Sequence, residues 1–263
     1  MATADDHELA ARIAERAGAL LLEVRAGAAG SDDRTVGTEG DRRAHELITT
    51  ALREARPLDA LLSEEGVPSG EGAAGGRSGE GGPHGAAGPT RRVWIVDPLD
   101  GTREFSEGRA DFAVHVALVE NGIPTAGAVA LPAEHLVLAT ADPPALPPRR
   151  RRRLRLLVSR TRPPVEASAV AGRLDAELFP MGSAGAKAMA VVRGEGDIYI
   201  HAGGQYEWDS AAPVAVAVAA GVHATRLDGS VLTYDHPDPW LPDLLICRPE
   251  LAAEVLVALR HDP

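Results

Sequence analysis

The stretch RVWIVDPLDGTREF occupies residues 92–105 and begins with the apolar run of a buried strand. Pro98 and Gly101 impose a tight turn after this run, which directs the carboxylates of Asp97 and Asp100 towards one point beyond the strand. Two such acids repel each other, and a hard divalent cation relieves the repulsion. The turn therefore predicts a metal site, with an Asp-rich turn that caps its own backbone as the structural alternative.

Two further acidic segments lie far from this turn in the sequence. Glu64 and Glu65 follow the short strand-like segment LDALLS, and Asp209 lies in EWD at the start of a predicted helix. A surface glutamate pair is usually solvated, and an acid in the first turn of a helix usually complements the helix dipole. Each segment thus has an ordinary structural interpretation when it is taken alone.

Hydrophobic periodicity predicts the main elements. A first helix is capped by Asp6 and ends at Gly27, and a second covers about residues 40–56. The pair Asn121 and Gly122 between two apolar runs predicts a β-hairpin, followed by a third strand of an antiparallel sheet. Strands and helices alternate in the later part of the chain, which predicts an α/β layer.

Two segments interrupt this periodicity. Residues 66–90 are rich in Gly and small polar residues, which predicts a mobile surface loop, either an inert insertion or a lid. The segment DPPALPPRRRRR at 142–153 is interpreted as a solvated linker rather than a polyanion site. We therefore predict an N-terminal α+β half, residues 1–148, with the antiparallel sheet and most metal ligands, and a C-terminal α/β half, residues 149–263.

The net charge limits the partners. A formal charge of −11 argues against binding of nucleic acid polymers or anionic membranes, whereas a small phosphorylated metabolite can bind where metal ions supply the positive charge. Cys247 is the single cysteine, so an internal disulfide is excluded. The sequence contains neither a signal-peptide pattern nor an apolar run long enough for a membrane helix. We therefore expect a cytoplasmic protein.

The three acidic segments together resemble the inositol monophosphatase superfamily. Its paired glutamates, its D-P-[IL]-D-G-T motif and its W-D-x-A motif appear here as SEEG, VDPLDGTREF and EWDSAAP, at residues 63–66, 96–105 and 207–213. The resemblance implies an α+β class with the layered α-β-α-β-α sugar-phosphatase fold, which fructose-1,6-bisphosphatase shares. It also implies Mg²⁺-dependent hydrolysis of phosphomonoesters.

Within this superfamily the sequence is most similar to the CysQ branch, the 3′(2′),5′-bisphosphate nucleotidases of actinobacterial type. The similarity rests on REF at residues 103–105 and on the segment 182–213. It implies hydrolysis of adenosine 3′,5′-bisphosphate to AMP and phosphate, with phosphoadenosine phosphosulfate as a further substrate, and a link to sulfur assimilation. The alternatives are an inositol-1-phosphatase, a fructose-1,6-bisphosphatase and, in another class, a non-catalytic metabolite-binding protein. Relatives include monomers and homodimers.

The resemblance also implies a set of metal ligands. Two Mg²⁺ ions are bridged by Asp97, and a third ion lies near Glu64 and Glu65. The expected ligands are oxygen atoms of Glu64, Glu65, Asp97, Leu99 through its carbonyl, Asp100 and Asp209. Carboxylate and carbonyl oxygens are also the ligands that a hard cation prefers.

Catalytic and substrate-binding roles are implied in the same way. Thr102 and Asp41 orient and deprotonate the attacking water, Glu64 is a further catalytic residue, and the backbone N–H groups of Gly101 and Thr102 hold phosphate oxygens. Lys187, the single lysine, offers a compact charge for a substrate, although it has the alternative of an ordinary surface lysine. The expected substrate contacts are Glu64, Leu99, Asp100, Gly101, Thr102, Arg103, Gly182, Ser183, Lys187 and Asp209.

His115 lies within the strand-like segment DFAVHVALV. Its position in an apolar run favours a core histidine with satisfied hydrogen bonds over a catalytic group.

Overall fold

Seven α helices and two five-stranded sheets make up the computed structural model, which describes residues 1–28, 33–66, 91–149 and 153–260. The helices are α1 (Ala4–Gly27), α2 (Asp33–Ala55), α3 (Thr102–Ser106), α4 (Val165–Arg173), α5 (Ala184–Val192), α6 (Glu207–Ala219) and α7 (Ala252–Arg260).

The first sheet contains β1 (Ala60–Ser63), β2 (Arg92–Asp100), β3 (Ala113–Glu120), β4 (Ile123–Leu131) and β5 (Leu136–Ala139), in sequence order. β1 is parallel to β2, and the other neighbouring strands are antiparallel. Asn121 and Gly122 both have positive φ and join β3 to β4, which confirms the predicted hairpin.

The second sheet contains β6 (Arg155–Ser159), β7 (Glu177–Met181), β8 (Ile198–Tyr206), β9 (His223–Thr225) and β10 (Trp240–Cys247), in the order β7-β6-β8-β10-β9. β6 is parallel to both of its neighbours, whereas β10 is antiparallel to β8 and to β9. The sequence reasoning predicted β6, β8 and β10 but missed β7 and β9.

The helices and sheets stack as five layers. α1 and α2 cover one face of the first sheet, and their contact with it forms one hydrophobic core. α5 and α6 lie between the two sheets in a second core that includes residues of both, and α4 and α7 cover the far face of the second sheet. The order is α-β-α-β-α, which confirms the predicted α+β fold class.

The first two helices differ from the prediction at their N-termini. Thr3, rather than Asp6, is the N-cap of α1, and Asp6 is the reciprocal partner that accepts the backbone N–H of Thr3 at 2.8 Å. The helix ends at Gly27, as predicted. α2 begins at Asp33, about two turns before the predicted residue 40, despite the glycines in its first half.

The segment between residues 66 and 90 lies, apart from Gly66, outside the described residues, so neither the loop nor the lid is tested. The chain passes from the first sheet to the second between residues 139 and 155. The division into halves at residue 148 remains a prediction. Among the described residues, none of the helices has the length and apolar character needed to span a membrane.

Candidate active site

At the end of β2 the chain forms the tight acidic turn that the sequence predicts. The pairing register with β3 shifts between Asp97 and Asp100, so both carboxylates leave the strand at an irregular position. The backbone N–H of Leu99 donates to Asp97 Oδ1 at 3.0 Å. Gly101 has a φ of 89° and precedes α3, and Thr102 Oγ1 donates to the Leu99 carbonyl at 3.1 Å.

Three of the predicted metal ligands form one cluster. Asp97, Asp100 and Asp209 each place a carboxylate oxygen so that all three oxygens lie within 4.8 Å of one another. Asp209 comes from the first turn of α6, where its Oδ2 accepts the backbone N–H of Tyr206 at 2.6 Å. The structure thus joins the turn of the first sheet to the helix that precedes the last strands of the second.

Glu64 lies beside this cluster but is not one of the three residues whose oxygens lie within 4.8 Å of one another. It begins a single 3₁₀ turn after β1, and its carboxyl group contacts that of Asp97. Glu65 is exposed. Asp41 is buried on α2 and faces both glutamates, and its Oδ1 has no hydrogen-bond partner among the described residues. The three segments predicted from sequence, together with Asp41, therefore meet in one place.

Mutual repulsion and burial dominate the electrostatics of the cluster. Burial, with the charges of Glu64, Asp100 and Asp209, raises the pKa of Asp97 well above its usual value. Burial and neighbouring carboxylates raise the pKa of Glu64 to about 7, that of Asp209 to about 6 and that of Asp41 to about 8. Removal of these carboxylates from water is therefore costly unless a cation compensates for it.

Asp100 is the exception. Burial alone would raise its pKa, but the charges of His115 and Lys187 and the hydrogen bond from Ser183 bring it well below the usual value. Its Oδ2 accepts Ser183 Oγ at 2.5 Å and the backbone N–H of Gly185 at 2.7 Å. One oxygen of this carboxylate is thus fully used by the start of α5.

A divalent cation fits this arrangement. The donors are all carboxylate or carbonyl oxygens, which Mg²⁺ prefers, and three of them converge within the reach of one ion. Burial and the neighbouring carboxylates raise the pKa values of Asp97 and Glu64, and a cation would compensate for both effects. The unpartnered oxygen of Asp41 lies next to them.

The cluster opens into a cavity of about 720 Å³ between α3, the start of α5 and the second sheet. Of the predicted substrate contacts, the cavity contains Asp100, Gly101, Thr102, Arg103, Gly182, Ser183, Lys187 and Asp209. Glu64 and Leu99 are not part of its lining.

Two basic residues of this lining differ in exposure. The Arg103 side chain is exposed and donates to Glu107 at 2.9 Å. Lys187 is buried, contrary to its alternative as a surface lysine, and its Nζ donates to the carbonyls of Gly182 and Ser183 at 2.8 and 2.7 Å. Burial lowers the pKa of Lys187 to about 8.

Other residues of the cavity were not identified from the sequence. Arg160 donates to Glu104 and Glu107 and so ties the loop after β6 to α3. The guanidinium of Arg162 has no partner among the described residues. Trp240 is half exposed at the cavity wall. An Arg-Thr-Arg sequence after a strand was the available signal, but it resembles any solvated turn.

The fold and site define a class of protein: a layered α+β protein that collects carboxylates at the edge of a cavity between two sheets. Residues 5–145 and 149–262 match the model of the inositol monophosphatase family. The chain therefore belongs to the inositol monophosphatase family.

Individual members of the family show which proteins this chain is similar to. The chain is 49% identical over 256 residues to the 3′-phosphoadenosine 5′-phosphate phosphatase of Mycobacterium bovis, with 92% of this chain and 89% of the relative covered. It is 30% identical over 249 residues to the 3′(2′),5′-bisphosphate nucleotidase CysQ of Salmonella typhimurium, with 89% and 96% covered. A solved structure of CysQ from Bacteroides thetaiotaomicron superposes with a TM-score of 0.73 at 23% identity, covering 93% of this chain and 97% of that one.

Proposed function

We propose that this protein is a Mg²⁺-dependent phosphatase that converts adenosine 3′,5′-bisphosphate to AMP and phosphate. The observation that carries the proposal is the carboxylate cluster at one end of a cavity that also contains the guanidinium of Arg162, which has no partner within the described part of the chain. The carboxylate cluster would bind metal ions, and the guanidinium would bind a second phosphate group of the substrate. Relatives that share 45 to 49% of their residues with this chain are named 3′-phosphoadenosine 5′-phosphate phosphatases.

The reaction transfers a phosphoryl group to water. The water oxygen bonds to phosphorus, the bond to the ribose 3′ oxygen breaks, and that oxygen takes up a proton. Bound Mg²⁺ supplies Lewis acidity, which makes water a better nucleophile and neutralises charge on the leaving oxygen. Asp97, Asp100, Asp209 and Glu64 would hold two such ions, with Glu65 near a third.

The chain's own groups orient the reactants. Asp41 and Thr102 position the attacking water, and the Asp41 carboxylate, which lies beside Glu64 and Glu65, takes up a proton from that water. Thr102 Oγ1 is directed by its hydrogen bond to the Leu99 carbonyl. The backbone N–H groups of Gly101 and Thr102 lie at the cavity edge and hold phosphate oxygens.

The far part of the cavity would hold the remainder of the nucleotide. Arg162 pairs with the phosphate that is not hydrolysed, and its open donors suit phosphate oxygens. Trp240 offers a half-exposed indole surface to the base. The partner is thus a small metabolite. We further propose that the protein acts in the cytoplasm as a monomer or homodimer and serves sulfur assimilation.

The proposal is tested by phosphate release with Mg²⁺ from adenosine 3′,5′-bisphosphate, inositol 1-phosphate and fructose 1,6-bisphosphate. The bisphosphate nucleotide is expected to have the highest kcat/KM, by at least about tenfold, or about 1.4 kcal/mol of transition-state binding. A tenfold preference for either sugar phosphate would favour the alternative phosphatases. Release from none of them would favour a metabolite-binding protein.

Arg162→Ala tests the second anion contact. Wild-type protein should prefer adenosine 3′,5′-bisphosphate over adenosine 3′-phosphate, and the variant should lose about tenfold on the first substrate only, because just that one carries the second phosphate. Arg153→Ala, which removes an exposed partner of Asp175 outside the cavity, is the matched control. Equal losses on both substrates would contradict the assignment.

A further inference from the structure

His115 lies on β3, directly behind the carboxylate cluster, and its side chain is fully buried. Both ring nitrogens face acceptors. Nδ1 is hydrogen-bonded to the backbone carbonyl oxygen of Trp208 at 3.0 Å, and Nε2 lies 3.2 Å from Asp100 Oδ2, an ion-pair distance without the geometry of a hydrogen bond. The ring therefore spans from the end of β2 to the first turn of α6, one residue before Asp209.

The His115 ring packs against Gly185, where the absence of a side chain leaves room for it. A Cβ atom on Gly185 would lie 2.1 Å from His115 Nε2, so the imidazole occupies space that any other residue at position 185 would fill. The backbone N–H of Gly185 donates to the same Asp100 Oδ2 at 2.7 Å. His115 of β3 and Gly185 of α5 thus both lie against Asp100 Oδ2, and His115 also contacts α6 through the carbonyl of Trp208.

We infer that His115 is a positioning residue for the metal site: it fixes Asp100 relative to the helix that carries Asp209. Oδ2 of Asp100 accepts hydrogen bonds from Ser183 and Gly185 and lies within ion-pair distance of His115 Nε2, so Oδ1 is the oxygen that remains for a cation. Groups that hold a metal ligand in place contribute about 10- to 100-fold to metal affinity. The inference rests on the proposed metal site and adds a residue that does not itself touch the ion.

The test measures Mg²⁺ binding by calorimetry on the full-length protein without substrate. In His115→Gln the amide nitrogen takes approximately the place of Nε2, and in His115→Asn it takes that of Nδ1. His115→Leu and His115→Asn are expected to weaken Mg²⁺ binding by at least about tenfold, whereas His115→Gln retains most of the affinity. Gly185→Ala, which displaces the ring without removing it, should resemble His115→Leu.

Activity measurements should separate the variants in the same way as Mg²⁺ binding does. The Mg²⁺ concentration for half-maximal activity should rise in His115→Leu and His115→Asn, while kcat at saturating Mg²⁺ falls much less. Val119→Ala, on the same buried face of β3, controls for lost packing and should lower thermal stability without changing Mg²⁺ binding.

Two results would overturn the inference. One is wild-type Mg²⁺ affinity in folded His115→Leu, and the other is equal affinity in the Asn and Gln variants. If the wild-type protein itself binds no Mg²⁺ and releases no phosphate, the proposed function fails as well. Normal binding and activity in the wild type, with unchanged variants, would contradict only the role of His115.

Discussion

Asp97 is buried beside Glu64, Asp100 and Asp209, and its burial, together with the charges of these neighbours, raises its pKa well above the usual value. Its position between the other ligands supports the proposed bridging role. The amide of asparagine has nearly the same shape but carries no charge, so Asp97→Asn separates charge from packing. This residue therefore offers a direct test of the metal site.

Asp97→Asn is expected to lower kcat by about 10³-fold or more, because the charge on a bridging ligand contributes several kcal/mol through the metal ion. Its melting temperature in EDTA should equal or exceed that of the wild type, since an amide does not carry the cost of burying a carboxylate among other acids. Phosphate release and thermal unfolding check the two effects. Asp175→Asn, at an exposed position away from the cavity, serves as control. Substantial remaining activity would refute the bridging role.

The sequence was informative about the carboxylates and less so about the residues that support them. Asp97 and Asp100 were predicted to converge because Pro98 and Gly101 act over a few residues. His115 was predicted to be a core histidine with satisfied hydrogen bonds; it is buried and its Nδ1 is bonded, but its Nε2 has no hydrogen-bond partner among the described residues. Its contact with Asp100 depends on where distant helices pack, so local pattern alone does not reveal it.

Helix α6 connects the two sheets and carries Asp209 in its first turn. It packs against β4 at Gly127, where an added Cβ atom would lie 2.9 Å from the Ala215 Cβ and 3.4 Å from the Ala212 Cα. The absence of a side chain at residue 127 therefore sets the distance between helix and sheet. A change there should reach the metal site through the helix.

Gly127→Ala is expected to cost about 1 to 3 kcal/mol of folding stability, because either the helix or the strand must move. The displacement of α6 should also raise the Mg²⁺ concentration needed for half-maximal activity. Chemical denaturation and Mg²⁺ titration measure the two effects. Gly172→Ala, on α4 with open space around its Cα, is the control and should be neutral or slightly stabilising. If Gly127→Ala changes neither the folding stability nor the Mg²⁺ requirement, this contact does not set the position of α6.

Elements with strong local signals were predicted well, and those determined by tertiary contacts were not. The Asn121 and Gly122 turn predicted the hairpin correctly. β7 was missed because ELFPM at 177–181 contains a proline and is largely exposed at the edge of its sheet. The early start of α2 was missed because Thr and Gly lower helix propensity there, whereas packing against β2 and α1 stabilises it.

The stability of the whole molecule should depend on pH, and Mg²⁺ should change that dependence. Asp41, Glu64 and Asp209 have folded-state pKa values of about 8, 7 and 6, above their ordinary values of 3.8, 4.5 and 3.8. Between about pH 4.5 and pH 8 the folded metal-free protein therefore holds protons that the unfolded chain has released. Stability is thus fully present below this range and falls as pH rises through it.

Thermal unfolding in EDTA should accordingly give a lower melting temperature at pH 8 than at pH 5.5, by about 2 to 4 °C for each kcal/mol lost. Mg²⁺ binds the ionised carboxylates, so its addition should raise the melting temperature more at pH 8 than at pH 5.5. A metal-free protein that becomes more stable across this pH range would contradict the pKa shifts.

The carboxylate cluster joins residues that are 112 positions apart in the chain, Asp97 and Asp209. Their oxygens meet only when α6 has docked between the two sheets. Asp97 and Asp100 belong to β2 and Asp209 belongs to α6, so neither sheet alone contains the cluster. The proposed Mg²⁺ site therefore depends on the docked position of α6, and an incompletely folded chain would compete poorly for the ion.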